Sequence, residues 1–201
     1  MRAVVIGNGT IKSYSRIKKR IRPDDFIICA DGGLRHARML GVTPDIAIGD
    51  FDSSEKDENI KSCVYPVRKD FTDGELAVNY AIDNGYDEIM LLGMTGDRLD
   101  HTLTDILLLS KHEGAYLVDD ENEIHIVRSE LRLTGCRGKT LSIIPIYGDM
   151  TGVSTTGLEW QLNNETLFFA QSRGNSNVVT EDVCTVSVRS GMGVVAVNDG
   201  E

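Results

Sequence analysis

The chain has 201 residues, 41% hydrophobic and 26% charged, with 21 basic against 31 acidic side chains and a formal net charge of −10. That length holds one large or two small domains with a real core, and the negative balance argues against a nucleic-acid partner, whose phosphates need a basic face. Four scattered cysteines (Cys29, Cys63, Cys136, Cys184) without a C-x-x-C pair speak against zinc or redox use and for reduced thiols in a cytoplasm, and no apolar run approaches the roughly 20 residues that cross a bilayer.

Ala3 to Ile6 is a continuous apolar run of the kind buried in a parallel sheet. Met1 to Gly7 is therefore read as a first strand, too short for a signal segment. Gly7-Asn8-Gly9-Thr10 follows as a turn whose glycines let a ligand come close to the backbone. A basic, weakly periodic stretch from Ile11 to Ile21 is expected to be a helix. Phe26 to Ala30 is a second buried strand ending at Asp31-Gly32-Gly33, and Leu34 to Leu40 a helix stopped by Gly41, with Pro44 beyond. A third strand, Ile46 to Ile48, delivers Gly49-Asp50-Phe51-Asp52-Ser53. In extended backbone Asp50 and Asp52 point to the same side, and two acids aimed at one spot repel unless a cation or proton sits between them.

Glu55 to Ser62 reads as a polar helix and Cys63 to Val67 as a strand ending in Arg68-Lys69-Asp70-Phe71-Thr72-Asp73-Gly74-Glu75. Thr72 and Glu75 have capping-box spacing, so a helix is expected to begin there and to stop at Gly85. Asp73 then lies in the first turn, where the helix dipole favours a negative charge. Glu88 to Gly93 is another strand, followed by Gly96-Asp97-Arg98-Leu99-Asp100-His101 and an apolar helix from Leu99 to Ser110. Arg98 at this strand-to-helix junction is well placed to fork onto phosphate oxygens.

Strands alternating with helices up to Tyr116-Leu117-Val118 predict an α/β fold with a doubly wound, mostly parallel sheet and helices on both faces. Ligands of such sheets bind beyond the carboxyl ends of the strands. Asp31, Asp50, Asp52, Asp70, Asp73, Arg98 and Asp100 all fall in loops there.

After about residue 128 helical periodicity disappears. Short β-branched and aromatic runs (Leu141 to Ile146, Leu167 to Ala170, Val183 to Val188, Val194 to Val197) are separated by Gly and Asn turns, which predicts a smaller antiparallel β-sandwich domain. The domains are expected at 1–125 and 126–201, with a short link near Glu121 to Glu130. The sole tryptophan, Trp160, alternates with Leu158 and Leu162. A lone tryptophan in a β domain is usually core, yet the flanking Glu159 and Gln161 fit a half-exposed stacking surface equally well.

Taken together, Asp31-Gly32-Gly33, Pro44-Asp45…Gly49-Asp50-Phe51-Asp52-Ser53, Lys69-Asp70-x-Thr72-Asp73-x-Glu75-x-Ala77 and Gly96-x-Arg98-x-Asp100-His101-x-Leu103 resemble the thiamine pyrophosphokinase family in order and spacing. Thr156-Gly157-Leu158-x-Trp160-x-Leu162 and Asn175-Ser176-Asn177 resemble that family's thiamine-side motifs. Each motif alone is weak; six in order are specific, and they cover nearly the whole chain.

The resemblance implies transfer of the pyrophosphoryl group of ATP to the hydroxyethyl oxygen of thiamine. It implies a homodimer with active sites between one subunit's α/β domain and the other's β domain. It places Mg²⁺ on Asp50, Asp52 and Asp73, with Asp70, Asp100 and Arg98 beside the chemistry. Asp31, Gly32, Gly33, Lys69, Arg98 and His101 would face the nucleotide, and Thr156, Trp160, Ser176 and Asn177 the thiamine. The alternative is a pyrophosphokinase of the same build acting on another heterocyclic alcohol, such as a pterin. Two positions depart from the family pattern: Asp97 stands where a glycine is usual, and Asp105 where Asn is frequent.

Overall fold

The computed structural model describes residues 1–49, 61–64 (backbone only), 70–96 and 98–198. These form two compact units, Met1–Asp120 and Glu121–Glu201.

The first unit is built on six parallel strands: β1 (Arg2–Ile6), β2 (Phe26–Ala30), β3 (Ile46–Gly49), β4 (Lys61–Val64), β5 (Glu88–Leu92) and β6 (Ala115–Val118). Their order is β6-β5-β1-β2-β3-β4, so the direction of winding reverses between β1 and β5. Residues 3–6 are wholly buried because each face of the sheet carries helices. On one face Val4, Ile6, Ile27, Cys29, Met90 and Leu92 pack with Ile17, Leu34, Ala37 and Leu40 from α1 (Tyr14–Lys18) and α2 (Gly33–Leu40). The alternate residues, Ala3, Val5, Ile28 and Leu91, point to the opposite face by the two-residue period of a strand. There α3 (Asp73–Asp83) lies across β1, β2 and β3 and packs on α4 (Leu99–Leu108), which a 3-10 turn over Leu109–Lys111 extends.

The second unit has two antiparallel sheets. One runs β12-β9-β14-β7 and comprises Asn177–Val178, Thr140–Pro145, Gly193–Asn198 and Asn122–Val127. The other runs β11-β10-β13-β8 and comprises Glu165–Leu167, Met150–Thr156, Val183–Ser187 and Glu130–Thr134. Leu141, Ile143, Val195 and Val197 of the first meet Leu133, Met150, Val153, Cys184 and Val186 of the second in one core, which makes the unit a β-sandwich.

Several sequence expectations need correction. The helix expected over Ile11 to Ile21 spans only Tyr14–Lys18. The Asp120 carboxylate takes the backbone N–H groups of Lys12 and Ser13 before it, and the Arg20 carbonyl is turned to the Arg2 guanidinium after it. Lys61 and Ser62 belong to strand β4, not to a polar helix; the rest of that helix, from Glu55, lies outside the described residues. The stretch 121–130 is no linker. The unit boundary lies after Asp120, and Asn122–Val127 is β7, paired in register with β14 from Val127↔Gly193 to Asn122↔Asn198. Phe168 to Ala170 leave the strand after Leu167, with Ala170 in the left-handed region at φ 60°. Trp160 lies on no strand and is 59% exposed, so it is not core.

Candidate active site

Beyond the carboxyl ends of β1 and β5, at the point where the winding reverses, lies a cleft of about 580 Å³. Its walls come from four places: Gly7-Asn8-Gly9-Thr10 after β1, Asp31 after β2, Thr72-Asp73-Gly74 opening α3, and Gly93 to Gly96 with Arg98, His101, Thr102 and Asp105 on and before α4.

The loops after β1 and β5 are stitched together. Gly7, Gly9 and Thr10 donate their N–H groups to the carbonyls of Leu92 (2.8 Å), Gly93 (2.6 Å) and Thr95 (2.7 Å). A Cβ on Gly9 would lie 2.3 Å from the Thr95 carbonyl oxygen, so only glycine permits this approach. From α2, Arg35 donates to the carbonyls of Asn8 (2.9 Å) and Gly9 (3.2 Å). His36 reaches the Gly9 oxygen with Nε2 at 2.8 Å and Tyr14 Oη with Nδ1 at 2.8 Å. A carbonyl only accepts, so Nε2 carries the hydrogen and the neutral ring accepts from the Tyr14 hydroxyl. Burial holds the His36 pKa below its ordinary value, which keeps this tautomer.

Asp31-Gly32-Gly33 has a backbone explanation. Asp31 sits in the left-handed region, φ 45°, held by its N–H on the Ile48 carbonyl (2.8 Å). This costs strain of a kind that concentrates at functional sites. Gly32 is the N-cap of α2. Gly33 tucks under β1, where a Cβ would fall 2.0 Å from the Ile6 oxygen. Asp31 therefore lines the cleft while the two glycines make its position possible.

At the start of α3 the Thr72 side chain accepts from the Glu75 N–H at 3.1 Å. The Glu75 carboxylate takes Lys111 Nζ at 2.6 Å. The cap aims Asp73 at the cleft, with Oδ1 3.5 Å from where a Cβ on Gly49, the last residue of β3, would lie. Asp50 and Asp52, which follow Gly49, lie outside the described residues, as does Lys69.

Arg98 lines the cleft, but its guanidinium is turned onto Asp100, with Nη2 2.5 Å from Oδ2 and Nε 3.2 Å from Oδ1. That hydrogen bond draws the Asp100 carboxyl below its ordinary pKa and raises that of Arg98. His101 lines the cleft beside Arg98; Asp100 and Asp70 are exposed outside its lining.

In the second unit Trp160 and Asn177 are joined. Trp160 N–H donates to Asn177 Oδ1 (3.1 Å), and Asn177 Nδ2 donates to the Trp160 carbonyl (2.7 Å). Ser176, at φ 60°, donates its N–H to Ser142 Oγ at 3.0 Å. The Thr156 hydroxyl is engaged with that of Thr185 at 2.7 Å.

Sequence reasoning missed Arg35, His36 and Thr102, and it noted Asp105 only as a departure from the family pattern. Nothing in the sequence marks a histidine three residues past Gly33 as the partner of Gly9. A polar residue among the leucines of α4 was the available signal for Asp105.

The description "thiamin pyrophosphokinase, catalytic domain" matches residues 17–118, and "thiamin pyrophosphokinase, vitamin B1 binding domain" matches residues 121–193. The chain belongs to the thiamin pyrophosphokinase family. A thiamine pyrophosphokinase of Bacillus subtilis (strain 168) is 34% identical over 137 residues, 62% of this chain and 64% of that relative, so the match spans slightly less than two thirds of its length. Thiamine pyrophosphokinase 1 of Oryza sativa subsp. japonica is 25% identical over an alignment of 229 residues, covering 92% of this chain and 83% of the relative. The crystal structure of thiamine pyrophosphokinase from Bacillus subtilis has the same fold, with a TM-score of 0.89 at 24% identity over 98% of this chain and 99% of that one. No helix of the described residues is long and apolar enough to cross a membrane.

Proposed function

We propose that this chain is a thiamine diphosphokinase, transferring the pyrophosphoryl group of ATP to the hydroxyethyl oxygen of thiamine to give thiamine diphosphate and AMP. The observation that carries this is the pairing, in one chain, of matches to the family's catalytic domain and its vitamin B1-binding domain. The pterin alternative has no comparable support.

In this reading the cleft at the β1–β5 switch holds the nucleotide. Asp31 and His101 flank it, and Arg98 exchanges Asp100 for phosphate oxygens, to which a planar guanidinium can present two parallel donors. The hydroxyethyl oxygen attacks the β-phosphorus, the bond from that phosphorus to the oxygen bridging the α-phosphorus breaks, and AMP leaves. The alcohol proton passes to an acidic group in or beside the cleft, where Asp73 and Asp100 are the candidates. Transfer of this kind asks for positioning and charge neutralisation rather than covalent chemistry.

Asp73, with Asp50 and Asp52, would hold Mg²⁺. The donor set fits: carboxylate oxygens suit this hard cation, and Asp73 stands over the residue that leads into Asp50-Phe51-Asp52. Among the described residues no group of three acidic, His or Cys side chains converges, so the set is complete only with those two aspartates. When bound, the ion neutralises charge on the phosphate oxygens. Lys69 joins the nucleotide side. In the second unit exposed Trp160, its backbone held by Asn177, offers an indole face to the cationic ring of thiamine, with Ser176 and Thr156 as further contacts. The enzyme acts in the cytoplasm as a homodimer, each site combining the α/β domain of one subunit with the β domain of its partner.

A panel of heterocyclic alcohols incubated with ATP and Mg²⁺ and followed by AMP release tests the substrate. AMP formed with thiamine and not with a hydroxymethyl pterin supports the reading; the reverse order overturns it.

A further inference from the structure

We propose that Asp105 is a substrate-reading residue of the cleft, taking a hydroxyl group of a bound substrate. The inference rests on the proposed pyrophosphokinase reading of the site.

Asp105 lies on α4 on the same inward side as buried Leu108, three residues on, where an apolar residue would be expected. Its side chain lines the cleft with Thr72, Gly74, Met94 and Thr102, and the residue is only 8% exposed. Oδ1 lies 3.6 Å from the point where a Cβ on Gly74 would stand, and the Met94 methyl 2.8 Å from the same point. The carboxyl thus lies over the bare backbone of Gly74, on the side where the Met94 thioether also packs. Among the described residues no hydrogen-bond donor reaches it, and burial is the single influence on its titration. A buried polar group facing a cavity without a partner is an exception that calls for one.

The chemistry of the partner follows by elimination. Phosphate oxygens bring only acceptors and more negative charge. The ring nitrogens of a purine bring lone pairs that an ionised carboxylate would repel, and an exocyclic amine only donates, which leaves the proton of a neutral carboxyl without an acceptor. A hydroxyl both donates and accepts, so it satisfies a carboxyl in either protonation state. Two sources offer one: the ribose of the nucleotide and the hydroxyethyl arm of thiamine.

Calorimetric binding to the full chain in Mg²⁺ distinguishes them. ATP is compared with its 2′-deoxy and 3′-deoxy forms, and thiamine with the analogue lacking its side-chain hydroxyl, using the native protein, Asp105→Asn and Asp105→Leu. The native protein is expected to bind one of the hydroxyl-less compounds about tenfold or more weakly than its parent, because a site built around a hydroxyl rejects its absence. Asp105→Asn retains most of that gap and Asp105→Leu closes it; the compound affected names the source. Equal binding of every pair by the native protein overturns the proposal, as does a gap that survives in Asp105→Leu. Binding is read apart from turnover, so thiamine diphosphate synthesis without an Asp105-dependent gap sinks this inference alone. The gap without synthesis sinks the functional reading instead.

Discussion

The Nε2–H of His36 donates to the Gly9 carbonyl across 2.8 Å, so a side chain of α2 fixes the loop that follows β1. The ring is 3% exposed and accepts from Tyr14 on its other nitrogen, which makes it a positioning residue for the cleft wall. His36→Ala removes two buried hydrogen bonds and leaves a void, and should cost about 2–4 kcal/mol of stability. The check is chemical denaturation, together with an increase in the ATP KM larger than the change in kcat. The pH dependence has a defined sign. The folded-state pKa of His36 is lowered, so its contribution is complete above the ordinary value of 6.5 and is lost as pH falls through the folded value. Denaturation midpoints of the native protein and His36→Gln should therefore converge on acidification.

Asp105 has the opposite sign. Burial pushes its carboxyl up to about 7 from 3.8, so the stability tied to its protonated form is complete below pH 4 and lost as pH rises through about 7. The asparagine variant needs no proton to stay neutral. Asp105→Asn should gain stability relative to the native chain between pH 4 and pH 8, by on the order of 4 kcal/mol, read as a melting-temperature difference that widens with pH.

Gly33 and Gly85 separate close approach from turn conformation. A Cβ on Gly33 meets the Ile6 carbonyl at 2.0 Å, within the sheet core, so Gly33→Ala should cost about 3 kcal/mol or more or prevent folding. Gly85, at φ 75°, has nothing within 4 Å of its would-be Cβ, and Gly85→Ala should cost about 1 kcal/mol. Parallel denaturation curves decide.

Arg98 is exposed and its pairing with Asp100 is open to solvent. Surface pairs contribute little to folding. Arg98→Gln should leave the melting temperature unchanged while raising the ATP KM about tenfold or more, and Arg98→Lys should recover little of it, because an ammonium cannot fork onto two oxygens. Steady-state kinetics beside a thermal melt reads both effects.

The parallel half of the fold was legible because buried strands such as Phe26–Ala30 are unbroken apolar runs, and Thr72, Gly41 and Gly85 punctuate the helices. The β half was less so. Asn122–Val127 reads as a polar link because Glu121 and Glu123 mask the buried Ile124 and Val127, and only pairing with β14 makes it a strand. Met150–Thr156 carries a glycine and four hydroxyl-bearing residues, too little apolar signal to stand out. In the site, Asp31, Asp73 and Arg98 were visible from loop position and His101 through the family motif, and the structure brings all four to one cleft. Arg35 and His36 were not visible, because their roles arise from backbone carbonyls of a loop 26 and 27 residues away.

The most direct test is the fate of the β-phosphorus. ATP labelled at that atom, incubated with the protein, Mg²⁺ and thiamine, should yield label in thiamine diphosphate and unlabelled AMP in equal amounts, with no thiamine monophosphate intermediate. Label appearing in ADP beside thiamine monophosphate, or remaining in ATP, would contradict the account.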